Sequence, residues 1–158
     1  MQHGVKGTPE VLAALNQALK HELTAVHQYL EHAHLLEDWG FVKRGKAEHE
    51  EAQEEQGHAD RLASRILLLG GMPDMRTIGE TYIGGDLKEV IENDLRLELE
   101  AVDHYRQAIR IAETAHDYVS RDLLITILAD EEEHQDHYRT DLDLIEQIGF
   151  QNFAQLQV

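Results

Sequence analysis

The sequence predicts an all-α protein, a four-helix bundle with one long crossover, and three observations carry that prediction. Apolar residues recur at steps of 3 and 4 through stretches of about 30 residues, the period of one helix face. Proline, which breaks helix interiors, occurs only at Pro9 and Pro73. The connections alternate short, long, short, which dictates two helical hairpins joined by one extended link.

The first helix opens at Thr8-Pro9, an N-cap followed by proline at the first helical position. Leu12, Leu15, Leu19, Glu22, Val26, Tyr29, Ala33 and Leu36 then form one unbroken stripe, ending near Gly40. A second helix is expected from about Phe41 to Leu69, before Gly70-Gly71. The third starts near Asp86 and carries Ile91, Leu95, Glu98, Val102, Tyr105, Ile109 and Ala112. The fourth runs from about His116 to Ile148, and the tail from Phe150 to Val158 forms a short fifth helix available to line a symmetry axis. A helix of ~30 residues is about 45 Å long. The link from Gly70 to Asp86 reaches about 56 Å when extended, so it can run the length of the bundle.

The 158 residues suit a single domain, 1–158, and 42% apolar content is enough for a core. A net charge of −17 argues against nucleic acid and anionic membrane as partners and favours metal cations. With no Cys there is no disulfide, thiolate site or Cys nucleophile. No apolar run reaches the ~20 residues a membrane span needs, and no signal segment is visible, so a cytoplasmic location is expected.

Two stripe positions carry carboxylates where apolar residues belong, Glu22 and Glu98. Shifting the sequence by 76 residues superimposes Glu22 on Glu98, Tyr29 on Tyr105, Glu55 on Glu131, His58 on His134 and Asp60 on Asp136. Each half therefore offers an inward Glu on its first helix and a Glu-x-x-His pair on its second, with both pair members on one face. Glu-x-x-His alone is weak evidence in a chain with 19 Glu and 11 His, and the copies at Glu31/His34 and Glu113/His116 read as surface residues out of register. Recurrence of five features at one offset is what marks Glu22, Glu55, His58, Glu98, Glu131 and His134 as a bundle-centre metal site. Four carboxylates and two imidazoles balance two divalent cations and favour iron or manganese.

The chain resembles the bacterioferritins over essentially its whole length. The likeness is carried by Glu22-Leu-Thr-Ala-Val-His-Gln-Tyr29, His58-Ala-Asp-Arg61, Ile83-Gly-Gly-Asp86, His116-Asp-Tyr-Val-Ser-Arg121, Asp130-Glu-Glu-Glu-His134 and Gln151-Asn-Phe153. The resemblance implies a ferritin-like fold and a hollow 24-subunit shell that oxidises Fe²⁺ with O₂ or H₂O₂ and stores ferric mineral. It implies two irons per subunit, with Glu55 and Glu131 bridging, Glu22 and His58 ending one metal, and Glu98 and His134 the other. It also gives Tyr29 a part in electron delivery, although a stripe aromatic packing over carboxylates would look the same.

Departures from the family pattern carry their own expectations. The position of the haem-ligating Met is Gln56, and the methionines are Met1, Met72 and Met75, so this subunit alone is not expected to make a bis-Met haem site. It is either a haem-free homologue or one half of a mixed shell whose other subunit supplies Met. Glu50 and Glu54 fall where some members hold inner-surface iron, but the run Glu48, Glu50, Glu51, Glu54 and Glu55 also suits a solvated acidic face. Asp38, Asp136 and Asp143 match positions near inter-subunit pores, and His32, His49 and His104 read as surface residues. Alternatives to iron storage are a di-iron or di-manganese peroxidase like rubrerythrin or manganese catalase, and a non-catalytic shell subunit. The missing cysteines weigh against rubrerythrin and the intact ligand set against a passive subunit. Dps-type proteins, with metal held between subunits, fit less well.

Overall fold

A computed structural model describes residues 4–158. It is all helical: α1 (Pro9–Asp38), α2 (Val42–Leu68), α3 (Leu87–Thr114), α4 (Tyr118–Ile148) and the six-residue α5 (Phe150–Gln155). Side-chain caps set three of the starts. Thr8 Oγ1 accepts from Val11 N at 3.2 Å, Asp86 from Glu89 N at 2.8 Å and Asp117 from Ser120 N at 3.0 Å, each satisfying an amide that has no partner within its helix. The turn from α1 to α2 needs a left-handed residue, and Gly40 supplies it at φ 94° while Phe41 N donates back to Leu36 O at 2.8 Å.

α1 packs on α2 and α3 on α4 as antiparallel hairpins, and α1 meets α3 between them. The crossover follows α1 rung by rung. Asn16 Nδ2 donates to Met72 O, and Asn16 Oδ1 accepts from Asp74 N. Further along, Thr24 Oγ1 accepts from Gly79 N, Gln28 Oε1 from Tyr82 N, and His32 from Gly84 N. A stripe of polar side chains on α1 thus replaces the backbone partners that an extended chain lacks. No helix among the described residues is long and apolar enough to cross a membrane.

The core is in two parts. One contains Leu15, Leu19, Leu62, Ile66, Tyr105, Leu124 and Ile127; the other contains Tyr29, Leu36, Ile91, Leu97, Tyr138, Ile145 and Phe153. On every long helix one of the four carboxylates falls at or next to the place where one part gives way to the other: Glu22 just before Leu23, Glu55 before Ala59, Glu98 after Leu97 and Glu131 after Ile127. All four are fully buried.

Two expectations about surface residues need correction. His32 is no surface residue: it is fully buried, held between Asp94 and the crossover. His49 and His104 are half-buried, and Glu48 in the acidic run is 1% exposed. The tail is docked on its own subunit as well, with Phe153 fully buried in the core and Gln157 O accepting from Arg44 N. His34 and Glu113 are exposed as expected, and Asp38, Asp136 and Asp143 are exposed too.

Candidate metal centre

The structure brings Glu22, Glu55, His58, Glu98, Glu131 and His134 together in two overlapping groups that share Glu55 and Glu131. The sharing is visible in the distances. His58 Nδ1 lies 3.5 Å from Glu22, 3.6 Å from Glu55 and 3.0 Å from Glu131. His134 Nδ1 lies 3.2 Å from Glu55, 3.6 Å from Glu98 and 3.8 Å from Glu131. Glu22 therefore belongs to one imidazole, Glu98 to the other, and Glu55 and Glu131 to both. The rings run nearly parallel, with centroids 6.5 Å apart.

Eight buried atoms at this spot have no hydrogen-bond partner: Glu22 Oε2, both oxygens of Glu55, Glu98 Oε2, both oxygens of Glu131, and Nδ1 of His58 and of His134. Leaving that many polar atoms unpaired in a protein interior costs several kcal/mol. Two divalent cations would take up all of them, and the oxygen-rich set with one imidazole per ion suits iron or manganese.

Outer partners stand behind the two terminal glutamates and the two imidazoles. The Tyr29 hydroxyl donates to Glu98 and the Tyr105 hydroxyl donates to Glu22. His58 Nε2 hydrogen-bonds Asp130 at 2.9 Å, and His134 Nε2 lies 3.0 Å from both Glu51 and Glu54. Carboxylates behind the imidazoles hold the rings with Nδ1 facing inward. Burial alone would push every carboxyl up. At Glu22 the adjacent Glu55 carboxyl and His58 ring outweigh burial and hold the carboxyl low, and Glu98 is held low in the same way by its neighbours Glu131 and His134. Glu55 and Glu131 stay high, from burial reinforced by the charge of Glu22. Burial opposes the imidazolium of His58, yet Glu22 and Glu55 raise it to about 11, and His134 is raised likewise. Pushed apart in this way, the two terminal glutamates favour the charged form and the two shared glutamates the protonated one.

Several residues here were not singled out by sequence reasoning. Tyr105 was legible as the repeat partner of Tyr29 but had no role assigned. Glu51, not Glu50, stands with Glu54 at His134, and Glu50 is exposed. The signal was the i, i+4 spacing of Glu51 with Glu55 and of Glu54 with His58. Beside the centre lies a second buried polar cluster. Asp94 Oδ1 accepts from His32 Nδ1 at 2.8 Å and from Gln28 at 2.9 Å. Glu48 faces Asp94 on one side and Arg44 on the other, its Oε1 3.6 Å from Arg44 Nε. Arg44 also donates to Asp141 at 2.6 Å, and a cleft of about 320 Å³ between α2 and α4 is lined by Arg44, Glu48, Glu51, Tyr138 and Asp141.

The residues present do not fit a bis-Met haem. Gln56 donates its amide to Asp60 on its own helix at 3.0 Å, while Met72 and Met75 lie exposed on the crossover; Met1 is outside the described residues.

Comparison with known proteins agrees with this architecture. The ferritin-like domain family matches residues 12–148. A bacterioferritin of Brucella melitensis is 44% identical over 152 residues, covering 96% of this chain and 94% of that protein. A bacterioferritin of Streptomyces coelicolor is 41% identical, covering 92% and 87%, and a bacterial ferritin of Synechocystis is 40% identical, covering 98% and 99%.

Proposed function

The chain belongs to the bacterioferritins, within the ferritin-like family, and on that premise we propose that it is an iron-storage ferroxidase. Fe²⁺ is the substrate, oxidised in pairs at the bundle centre of each subunit, and the ferric product is kept inside a hollow shell, a 24-mer by family likeness. The observation that carries this reading is the sharing pattern: Glu55 and Glu131 lie near both imidazoles, while Glu22 and Glu98 each lie near one. That is the arrangement two adjacent ions require, with Glu55 and Glu131 bridging and one Glu–His pair ending each.

The electron count needs two ions. Each Fe²⁺ gives up one electron. O₂ takes two electrons and two protons to become H₂O₂, and H₂O₂ takes two of each to become two waters. Both irons must therefore be held side by side when the oxidant arrives. Four carboxylates neutralise two divalent ions, so the ferrous pair can enter a buried site, and the surplus charge of two ferric ions favours their departure. Asp130 behind His58, and Glu51 with Glu54 behind His134, keep the imidazoles aimed as ions come and go. Of these, Glu54 is 45% exposed, which suits a residue that meets incoming iron.

The experiment is aerobic addition of Fe²⁺ to metal-free protein, followed by absorbance. A fast phase saturating near two irons per subunit is expected, from a particle of shell size in sedimentation. The double substitution Glu22→Ala and His134→Ala should abolish the fast phase. Oxidation by that variant at the parent's rate, or a parent that stays monomeric at micromolar concentration, would overturn the reading.

A further inference from the structure

A second group of ligand-type side chains lies apart from the bundle centre, on the α1–α2 hairpin. His34 and Glu37 stand three residues apart near the end of α1, on one helix face. His49 comes from α2, its Nε2 3.3 Å from Glu37 Oε1. The rings of His34 and His49 meet edge to face with centroids 5.4 Å apart, and one ligand atom from each of the three residues lies within 4.8 Å of the others. Bonds of about 2.0–2.2 Å around one ion separate its ligand atoms by roughly 3–4 Å. Small rotations of these partly exposed side chains would close the set.

Two features of the surrounding structure favour a cation at this place. A Cβ on residue 45 would sit 2.6 Å from Glu37 Cγ and 3.0 Å from Ala33 O, so Gly45 leaves the space that the Glu37 stem occupies. His49 lies one turn further along the same face of α2 and meets the carboxylate so seated. In addition, the last turn of α1 contains no basic residue, although a helix C-terminus favours positive charge. The set is also no by-product of the internal repeat: the corresponding residues 76 positions on are Arg110, Glu113 and Ile125.

We propose that His34, Glu37 and His49 form a separate, exchangeable site for a divalent first-row transition ion. Two imidazoles and one carboxylate suit Zn²⁺, Co²⁺ or Fe²⁺ far better than Mg²⁺ or Ca²⁺, which prefer all-oxygen sets. Three protein ligands leave coordination positions open to water, so the ion can come and go. The site does not depend on the reading of the bundle centre, because it shares no residue with it.

Zn²⁺ is the probe, being redox-inert. Calorimetric titration of the metal-free full chain with Zn²⁺ should show one more ion per subunit for the parent than for the double variant His34→Ala and His49→Ala. Glu37→Gln, which keeps the shape and removes the charge, should weaken that one ion at least tenfold and leave the others unchanged. Crystals soaked in Zn²⁺ should show an anomalous scattering peak between His34 and His49. Equal stoichiometry and affinity in parent and double variant, or no peak there, would overturn the proposal.

Discussion

The Tyr105 hydroxyl donates to Glu22 across the bundle. Tyr29 makes the mirror-image bond to Glu98, so each half of the repeat supplies the tyrosine that holds the other half's terminal carboxylate. Both tyrosines are fully buried, and both hydroxyls are kept protonated by burial and by the carboxylate beside them. This symmetry favours a positioning role. Tyr29→Phe and Tyr105→Phe should slow fast iron oxidation by similar factors, each about tenfold, the value of one hydrogen bond to a charged group. Stopped-flow absorbance on the two variants measures it. A loss at Tyr29→Phe far exceeding that at Tyr105→Phe would mean that Tyr29 delivers electrons.

The cluster of His32, Asp94 and Glu48 makes a prediction about pH. Gly84 N donates to His32 Nε2, so the ring carries its proton on Nδ1 and gives it to Asp94. Burial keeps the ring neutral. Burial also lifts Asp94 to about 7, and it lifts Glu48 too, although Arg44 pulls Glu48 back down. Asp94 Oδ2 and Glu48 Oε2 have no hydrogen-bond partner. Glu98 on α3, Tyr138 on α4 and Asp141 beside Arg44 complete the surroundings. A carboxyl raised in the folded state binds more protons folded than unfolded, so its contribution to stability falls as pH rises from about 4 to about 7. Asp94→Asn keeps an acceptor for His32 and Gln28 and offers an amide donor to Glu48 at every pH. Its metal-free form should melt higher than the parent at pH 8, by up to about 4 kcal/mol of stability, with the gap closing toward pH 5. Thermal unfolding by circular dichroism across that range is the measurement. A variant less stable than the parent at pH 8 would show that ionisation of Asp94 does not weaken the fold there.

The repeat that makes the metal ligands legible in the sequence also conceals this cluster. A glutamate in an apolar stripe, duplicated at a fixed offset, can be read without coordinates because its burial conflicts with its chemistry. The residues 76 positions from His32, Glu48, Asp94 and Tyr138 are Ala108, Leu124, Ala18 and Leu62, all buried and apolar. One end of the bundle is therefore greasy where the other is polar, and comparing the halves removes the polar end from view. His32 and Glu48 also sit among exposed histidines and glutamates that look identical in one dimension. Helix ends were easier, since Thr8, Gly40 and Asp86 act locally. The route of the crossover was legible only as a length, because Asn16, Thr24, Gln28 and His32 hold it through bonds 52 to 58 residues apart in sequence.

The tail is part of the fold of its own subunit. Phe153 is fully buried against the polar end of the bundle, and truncating a buried aromatic costs about 3–5 kcal/mol. Phe153→Ala should lower the melting temperature and weaken the shell together, as seen by calorimetry and sedimentation. A variant that loses its shell with unchanged melting would show that the tail acts only between subunits.

Haem provides the last expected outcome. Thioether sulfur is a good axial ligand for haem iron, whereas a carboxamide is a poor one. Gln56 is half-buried on α2 and its amide is already donated to Asp60, one turn away. No methionine lies on α2, so no neighbour can take its place. The homomeric protein should therefore purify with little haem or none, and haem added to it should lack the spectrum of two thioether ligands. Gln56→Met restores one sulfur per subunit, hence two across a two-fold axis, and releases Asp60 to solvent. That variant should bind about one haem per two subunits, with bis-Met absorbance, because two ligands can serve one iron. Haem titration followed by absorbance on both proteins decides it. Stoichiometric bis-Met haem in the unmodified homomer would refute the reading of Gln56. A variant that still binds none would mean that the pocket has diverged beyond this one residue.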